Sequence, residues 1–147
     1  QAILEAMGYA VEGVEGARTR LRIAEGNGAD LVDLIAAPNE PRAAEGAGSV
    51  HHVAFSVSDR AAQDEARRVL TAAGAQITPP IDRDYFWAIY FRTPGGVLFE
   101  IATDDPGFDR DEAPEALGTA LKLPRQHERL RARIEEILEP IDEPIEA

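Results

Sequence analysis

An approximate internal repeat constrains the fold of this chain most strongly, because a helix followed by a strand meander occurs twice in the sequence. In the first copy, the apolar pattern over residues 2–7 predicts a short helix that Gly8 ends. Three strands are then predicted over residues 10–14, 19–24 and 29–35, with Gly26-Asn27-Gly28 as the hairpin turn between the last two.

The second copy contains one strand more, because an apolar run over residues 50–57 precedes its helix. Ser58-Asp59 predicts the N-cap of a helix over residues 60–73, and Gly74 predicts its end. Further strands are predicted over residues 75–78, 85–92 and 97–103. The sequence therefore predicts an α+β fold of two similar modules, of which the first lacks a leading strand.

Two ionisable residues, His52 and Glu100, lie in the short apolar runs that predict buried strands of the second copy. An unpaired ionisable side chain costs several kcal/mol to bury, so each is expected to have a partner. One imidazole and one carboxylate are two of the three ligands in a 2-His-1-carboxylate metal site. The third ligand is not evident in the sequence.

Strand alternation predicts that His52 and Glu100 point to the same face of the sheet, away from the bulkiest apolar side chains. By the same rule, His51 is expected to face the other way, as a structural residue or as a donor to the site. A five-residue connection over residues 92–96 favours a register in which Tyr90 lies opposite Leu98 and Ala88 faces Glu100.

The motifs of the second copy resemble those of the glyoxalase/bleomycin resistance/dioxygenase superfamily, also called vicinal oxygen chelate. Within it, the chain resembles the C-terminal half of hydroquinone-type extradiol dioxygenases. The segments that carry the resemblance are residues 50–59, 81–86, 89–104 and 106–108, together with 111–115, 117–118 and 121–124 in the tail.

The resemblance implies paired βαβββ modules that form a curved mixed sheet with helices outside. It divides the chain into an incomplete module over residues 1–46, a complete module over 47–104, and a C-terminal lid or linker with an amphipathic helix over 105–147. That helix is expected over residues 125–138, ending at Pro140 and docking on the body of the protein.

The resemblance also implies a function, that of a non-haem Fe(II) ring-cleaving dioxygenase that acts with dioxygen on hydroquinone-like or catechol-like diols. His52 and Glu100 correspond to metal ligands, with Mn(II), Zn(II) or Ni(II) as alternative ions, and Arg83 and Tyr90 to residues that position or acidify the bound diol. The remaining histidine ligand is expected from a missing N-terminal domain or a second chain. Whether this chain alone is an enzyme therefore stays open.

Other interpretations of the same residues remain open. A strand histidine is more often packed and hydrogen-bonded than a metal ligand, Tyr90 can cover a core, and Arg83 can pair with a neighbouring aspartate. Asp33, the first copy's counterpart of Glu100, is expected to be solvated or hydrogen-bonded. A non-catalytic small-molecule-binding module and a glyoxalase-type metal-dependent isomerase or lyase are the alternative functions.

The formal net charge of −12 and the isoelectric point near 4.6 oppose binding to nucleic acid or anionic lipid, which require a positive surface. The sequence also lacks an apolar run of the ~20 residues that a bilayer span requires and a signal peptide pattern. We therefore expect a cytoplasmic protein. A homo-oligomer is expected as well. Because the sequence begins with Gln1 inside a helical pattern, a preceding segment is also expected.

Overall fold

A computed structural model describes residues 1–24, 30–41 and 44–139 of the chain. The predicted turn Gly26-Asn27-Gly28 and the predicted helix end at Pro140 lie outside the described residues. The chain forms two units, residues 1–107 and residues 108–147.

The first copy of the repeat forms a three-stranded antiparallel sheet in the order β1-β2-β3. Its elements are α1 (Ala2–Ala6), β1 (Ala10–Glu15), β2 (Arg18–Arg22) and β3 (Leu31–Ile35). Gly8 follows α1 with φ of +95°, a conformation that glycine adopts without the strain of a Cβ. The predicted end of this helix is therefore confirmed.

The second copy forms a four-stranded mixed sheet in the order β4-β7-β6-β5, in which β4 and β7 are parallel. Its elements are β4 (Val53–Val57), α2 (Arg60–Ala72), β5 (Ile81–Asp82), β6 (Phe86–Arg92) and β7 (Leu98–Pro106). The predicted α+β class is confirmed, whereas the exact division into modules at residues 46 and 104 stays a prediction.

Two strand predictions in the second copy were wrong in extent. The strand predicted over residues 75–78 is reduced to a single bridge between Ile77 and Phe91, because Pro79 and Pro80 have no N–H with which to continue the pairing. The strand predicted from residue 50 begins at Val53, which pairs with Phe99 near the start of β7. Because β7 begins at Leu98, it has too few residues beside those that precede Val53 to pair with them.

Helix α2 has a side-chain cap at its start and is fixed to the sheet through its first turns. The Asp59 side chain accepts a hydrogen bond from the Ala62 N–H at 2.9 Å, which confirms the predicted N-cap. Gln63 is fully buried, and its Nε2 donates to the backbone carbonyls of Trp87 at 2.8 Å and Ile101 at 2.9 Å. This amide therefore connects the helix to β6 and β7.

Apolar residues from both copies form one core. Its buried members are Ile3, Leu4, Tyr9, Leu21, Leu70, Ile89, Phe91, Phe99 and Ile101. Because Phe99 and Ile101 on β7 both point into this core, the residue between them points to the opposite face of the sheet.

The register predicted between β6 and β7 was wrong by two residues. Tyr90 pairs with Glu100 rather than with Leu98, and Ala88 pairs with Ala102 rather than with Glu100. A shift of two residues leaves every side chain on the same face, so the hydrophobic pattern cannot distinguish the two registers. The observed register places the Tyr90 side chain directly beside Glu100.

Over residues 108–139, the described part of the C-terminal unit, there are three 3₁₀ helices and one α-helix. They are Phe108–Arg110, Pro114–Ala116, Arg125–Leu130 and α3 (Arg131–Ile137). The continuous helix predicted over residues 125–138 was therefore wrong, and its docking stays a prediction. None of the helices among the described residues has the length and apolar composition that a membrane span requires.

We predict that Gln63→Ala lowers the free energy of unfolding by about 2–4 kcal/mol, because it removes two hydrogen bonds and leaves a cavity beneath α2. Urea denaturation measures the change. Thr71→Ala, at an exposed position of the same helix, is the control and is expected to change stability by less than about 0.5 kcal/mol. Equal effects of the two substitutions would contradict the role assigned to Gln63.

Candidate metal centre

Glu100 is a buried carboxylate, with only 3% of the residue exposed. Its neighbours Phe99 and Ile101 point into the core, so its side chain lies on the other face of the sheet. Two side chains meet it there. His52 Nε2 lies 2.9 Å from Oε2, and the Tyr90 hydroxyl donates to Oε1 at 3.0 Å. The structure thus brings together the two residues predicted as metal ligands.

His52 precedes β4 and contacts two groups through its two ring nitrogens. Nε2 faces Glu100, whereas Nδ1 lies 2.8 Å from Nδ1 of His51. The expectation that His51 faces the other way was wrong, because both histidines lie before the first strand residue, Val53, and strand alternation does not apply to them. The two rings lie edge to face at 89°.

Tyr90, which contacts Glu100, is itself contacted by Arg83. Arg83 Nε donates to the Tyr90 hydroxyl at 3.3 Å, and its guanidinium carbon lies 5.3 Å from the centroid of the phenol ring. Burial raises the pKa of the Tyr90 phenol, the hydrogen bond from Arg83 lowers it, and the hydrogen bond to Glu100 raises it again. Because the net shift is upward, Tyr90 is a neutral hydrogen-bond donor near pH 7.

Arg83 itself lies in a tight turn between β5 and β6. The Asp82 side chain accepts from the backbone N–H of Asp84 at 2.8 Å, and Asp84 has φ of +72°. The backbone N–H of Arg83 donates to the Phe86 carbonyl at 2.9 Å. This turn presents the guanidinium of Arg83 to Tyr90.

The distance between His52 and Glu100 fits a shared metal ion. Two ligand atoms that each lie about 2.1 Å from one ion, at a right angle, are separated by about 3.0 Å. The observed separation of Nε2 and Oε2 is 2.9 Å, which also fits a direct hydrogen bond when no metal is bound. Among residues 1–24, 30–41 and 44–139, no third histidine, cysteine or carboxylate completes a ligand cluster. His52 and Glu100 can therefore supply two of the ligands of one metal ion.

Asp33 is the counterpart of Glu100 in the first copy, and an arginine side chain binds its carboxylate. Arg20 lies opposite Asp33 in the register of β2 and β3, as Tyr90 lies opposite Glu100 in β6 and β7. Arg20 donates two hydrogen bonds to Asp33, both at 2.8 Å, and these hydrogen bonds lower the pKa of Asp33. The expectation of a hydrogen-bonded carboxylate is confirmed for Asp33.

A cavity of about 440 Å³ lies beside the two histidines. Its lining includes His51, His52 and Leu98, and an ion pair between Arg92 and Glu45 at 2.6 Å lies at its wall. Sequence reasoning missed this ion pair, because 47 residues separate its two members and neither belongs to a motif. The cavity has a size at which proteins bind small molecules.

Comparisons with known proteins identify the family of the chain. Residues 6–101 match the family model of the Glyoxalase/Bleomycin resistance protein/Dioxygenase superfamily. The chain belongs to this superfamily. The sequence resemblance is therefore confirmed at the level of the superfamily, and the α+β fold is the fold of its members.

Relatives within the superfamily are named as dioxygenases. The chain is 44% identical over 136 residues to the "Putative ring-cleaving dioxygenase MhqO" of Bacillus subtilis, covering 92% of this chain and 43% of that protein. It is 36% identical over 137 residues to the chlorohydroquinone/hydroquinone 1,2-dioxygenase of Sphingobium indicum, covering 91% of this chain and 41% of that protein. The chain spans less than half the length of these relatives.

A solved structure from the superfamily agrees with the fold. The crystal structure of a "putative dioxygenase" from Bacillus subtilis superposes with a TM-score of 0.86 at 44% sequence identity. The match covers 94% of this chain and 44% of that one.

We predict that His52→Ala lowers the free energy of unfolding of the metal-free chain by about 1–3 kcal/mol, because Glu100 then stays buried without its imidazole partner. The double variant His52→Ala/Glu100→Leu is expected to recover part of the loss, since no buried carboxylate remains. Urea unfolding in the presence of EDTA measures the double variant and the two single variants, His52→Ala and Glu100→Leu. A double variant that loses the sum of the two single effects would contradict the coupling.

Proposed function

We propose that this chain carries two metal ligands, His52 and Glu100, of a non-haem Fe(II) ring-cleaving dioxygenase. The observation that carries the proposal is the continuous line of contacts from Arg83 through Tyr90 to Glu100 and His52. It combines a pair of metal-ligating groups with a phenol and a guanidinium suited to an oxygen-bearing substrate. The named activities of relatives such as MhqO support the same reaction class.

The proposed metal is Fe(II), although Mn(II), Zn(II) and Ni(II) accept the same nitrogen and oxygen donors. Fe(II) would supply a Lewis-acidic centre at which a diol and dioxygen can react. The remaining ligand is proposed to come from a further segment of the protein or from a second chain. His52 and Glu100 hold their two donor atoms on one side of the sheet for this purpose.

The proposed substrate is a hydroquinone-like or catechol-like diol, as the name of the Sphingobium indicum relative suggests. Arg83 provides a permanent positive charge that would hold an anionic oxygen of the diol. Tyr90 donates its one hydroxyl proton to Glu100 in this structure, and on binding of the diol it would donate that proton to a substrate oxygen instead. Both residues thus bind and orient the diol beside the two ligands.

We predict that Tyr90→Phe lowers kcat for hydroquinone cleavage by about 10²-fold, because the substitution removes a positioned hydroxyl donor. The assay uses the complete polypeptide encoded by the natural reading frame, loaded with Fe(II), and follows oxygen consumption and ring-opened product. Tyr9→Phe, which removes a phenol hydroxyl in the first copy, is the matched control and is expected to leave kcat unchanged. Equal rates of the Tyr90→Phe variant and the wild type would rule out this role.

We predict that Arg83→Gln raises KM for hydroquinone by about tenfold, because it removes the charge that would hold the diol. Steady-state kinetics on the same Fe(II)-loaded protein measures KM. The matched control is Arg68→Gln on α2, where Arg68 pairs with Glu65 at the surface. If the two arginine substitutions gave the same KM, Arg83 would have no part in substrate binding.

A non-catalytic binding module is the second candidate function. The described residues contain no group of three metal-ligating side chains, and the cavity beside His51 and His52 can accept a small molecule without a metal. Binding of hydroquinone that is unchanged by EDTA, in a protein that does not consume oxygen with Fe(II), would favour this function over the dioxygenase.

A further inference from the structure

The contact between His51 and His52 is not used in the proposed reaction. Their Nδ1 atoms lie 2.8 Å apart, which is a hydrogen-bond distance. A neutral imidazole carries one proton, on one of its two nitrogens. Two N–H groups directed at each other would repel, as would two lone pairs, so one proton lies between the two Nδ1 atoms.

This single proton allows two arrangements of the neutral pair. In the first, His51 Nδ1–H donates to His52, and His52 carries its own proton on Nε2 and donates to Glu100 across 2.9 Å. In the second, His52 Nδ1–H donates to His51, and its Nε2 presents a lone pair beside the carboxylate. Only the second arrangement can bind a metal ion, because a ligating nitrogen must be unprotonated.

We propose that His51 is a positioning residue that accepts the Nδ1 proton of His52 and so directs the lone pair of Nε2 to the metal. The inference rests on the proposed function, in which His52 and Glu100 are ligands. A partner at the second nitrogen of a ligating histidine fixes both the ring orientation and the tautomer. Here that partner is the preceding residue in the chain.

The exchange between the two arrangements is balanced in protons. The shared proton moves from His51 Nδ1 to His52 Nδ1, and His52 Nε2 releases a proton to water. His51 Nε2 takes up one proton from water, to which the residue is exposed. Both rings stay neutral and neither has to rotate. The histidine pair therefore fits both the metal-free chain and the metal-bound chain with the same geometry.

Two substitutions of similar shape test the role of His51. His51→Asn keeps an amide that can donate or accept near the position of Nδ1, whereas His51→Leu has a similar shape and cannot form hydrogen bonds. We predict that His51→Leu weakens Co(II) binding by the complete polypeptide encoded by the natural reading frame by about 10–100-fold. His51→Asn is expected to lose less than about fivefold. Anaerobic titration measures both affinities, and thermal unfolding verifies that both variants fold.

The tautomer of His51 gives a second readout, because a purely structural role of His51 would leave its ring proton on the same nitrogen when the metal binds. Long-range ¹⁵N–¹H NMR distinguishes protonated from unprotonated ring nitrogens. We expect the proton of His52 on Nε2 in the metal-free chain and on Nδ1 after addition of Zn(II), with His51 changing in the opposite sense. Unchanged tautomers on Zn(II) binding would overturn the inference.

The ligand variants separate this inference from the proposed function. His52→Ala and Glu100→Gln are both expected to abolish saturable Co(II) binding. If the wild type does not bind Co(II), or if these variants bind it equally well, the proposed metal site is wrong and the inference fails with it. If they lose binding while His51→Leu binds as the wild type does, only the role of His51 is wrong.

Discussion

Burial of the Glu100 carboxylate is the constraint on which the rest of the site depends. Its strand neighbours Phe99 and Ile101 are held by the core, so the carboxylate cannot reach water by turning the strand over. A buried charge must then be matched by groups that reach it on the same face. The structure supplies an imidazole on one oxygen and a phenol hydroxyl on the other. A metal ion between Glu100 and His52 would serve the same electrostatic need.

The two copies of the repeat place different partners beside their matching carboxylates. Asp33 and Glu100 occupy matching places in their hairpins, but Arg20 lies opposite the first and Tyr90 opposite the second. A guanidinium that binds a carboxylate through two hydrogen bonds neutralises it and occupies both oxygens. A phenol donates only one proton and adds no charge. With a tyrosine instead of an arginine at this register position, one oxygen of the carboxylate is left without a cationic donor.

Much of the fold followed from local patterns in the sequence. Strand alternation predicted the face on which Glu100 lies, and Asp59 and Gly8 predicted helix boundaries. His52 contacts Glu100 on that face although it lies just before β4. The predicted face and helix boundaries depend on residues that are close in sequence, where backbone chemistry decides the structure. The recurrence of the pattern indicated two modules, and each copy forms a sheet of its own.

The incorrect or missing predictions concerned strand register, the direction of one side chain and hydrogen bonds between distant residues, which local sequence patterns do not determine. The register of Tyr90 was wrong by two residues, because such a shift changes no face. The direction of His51 was wrong because the strand begins one residue after His52. Gln63 gave no signal in the sequence, since its two carbonyl partners belong to strands 24 and 38 residues away. Each error lies where tertiary packing rather than periodicity sets the geometry.

The position of Arg83 explains how a positively charged side chain can lie near this site without occupying the carboxylate of Glu100. If Arg83 contacted Glu100 directly, as Arg20 contacts Asp33, the ion pair would compete with a metal ion for the carboxylate oxygens. Instead, the Tyr90 hydroxyl lies between the two, accepting from Arg83 and donating to Glu100. The neutral phenol keeps the positive charge near the position proposed for the substrate and leaves the carboxylate oxygen that faces His52 free of arginine. A substrate anion and a metal cation can therefore each find a partner of opposite charge in neighbouring positions.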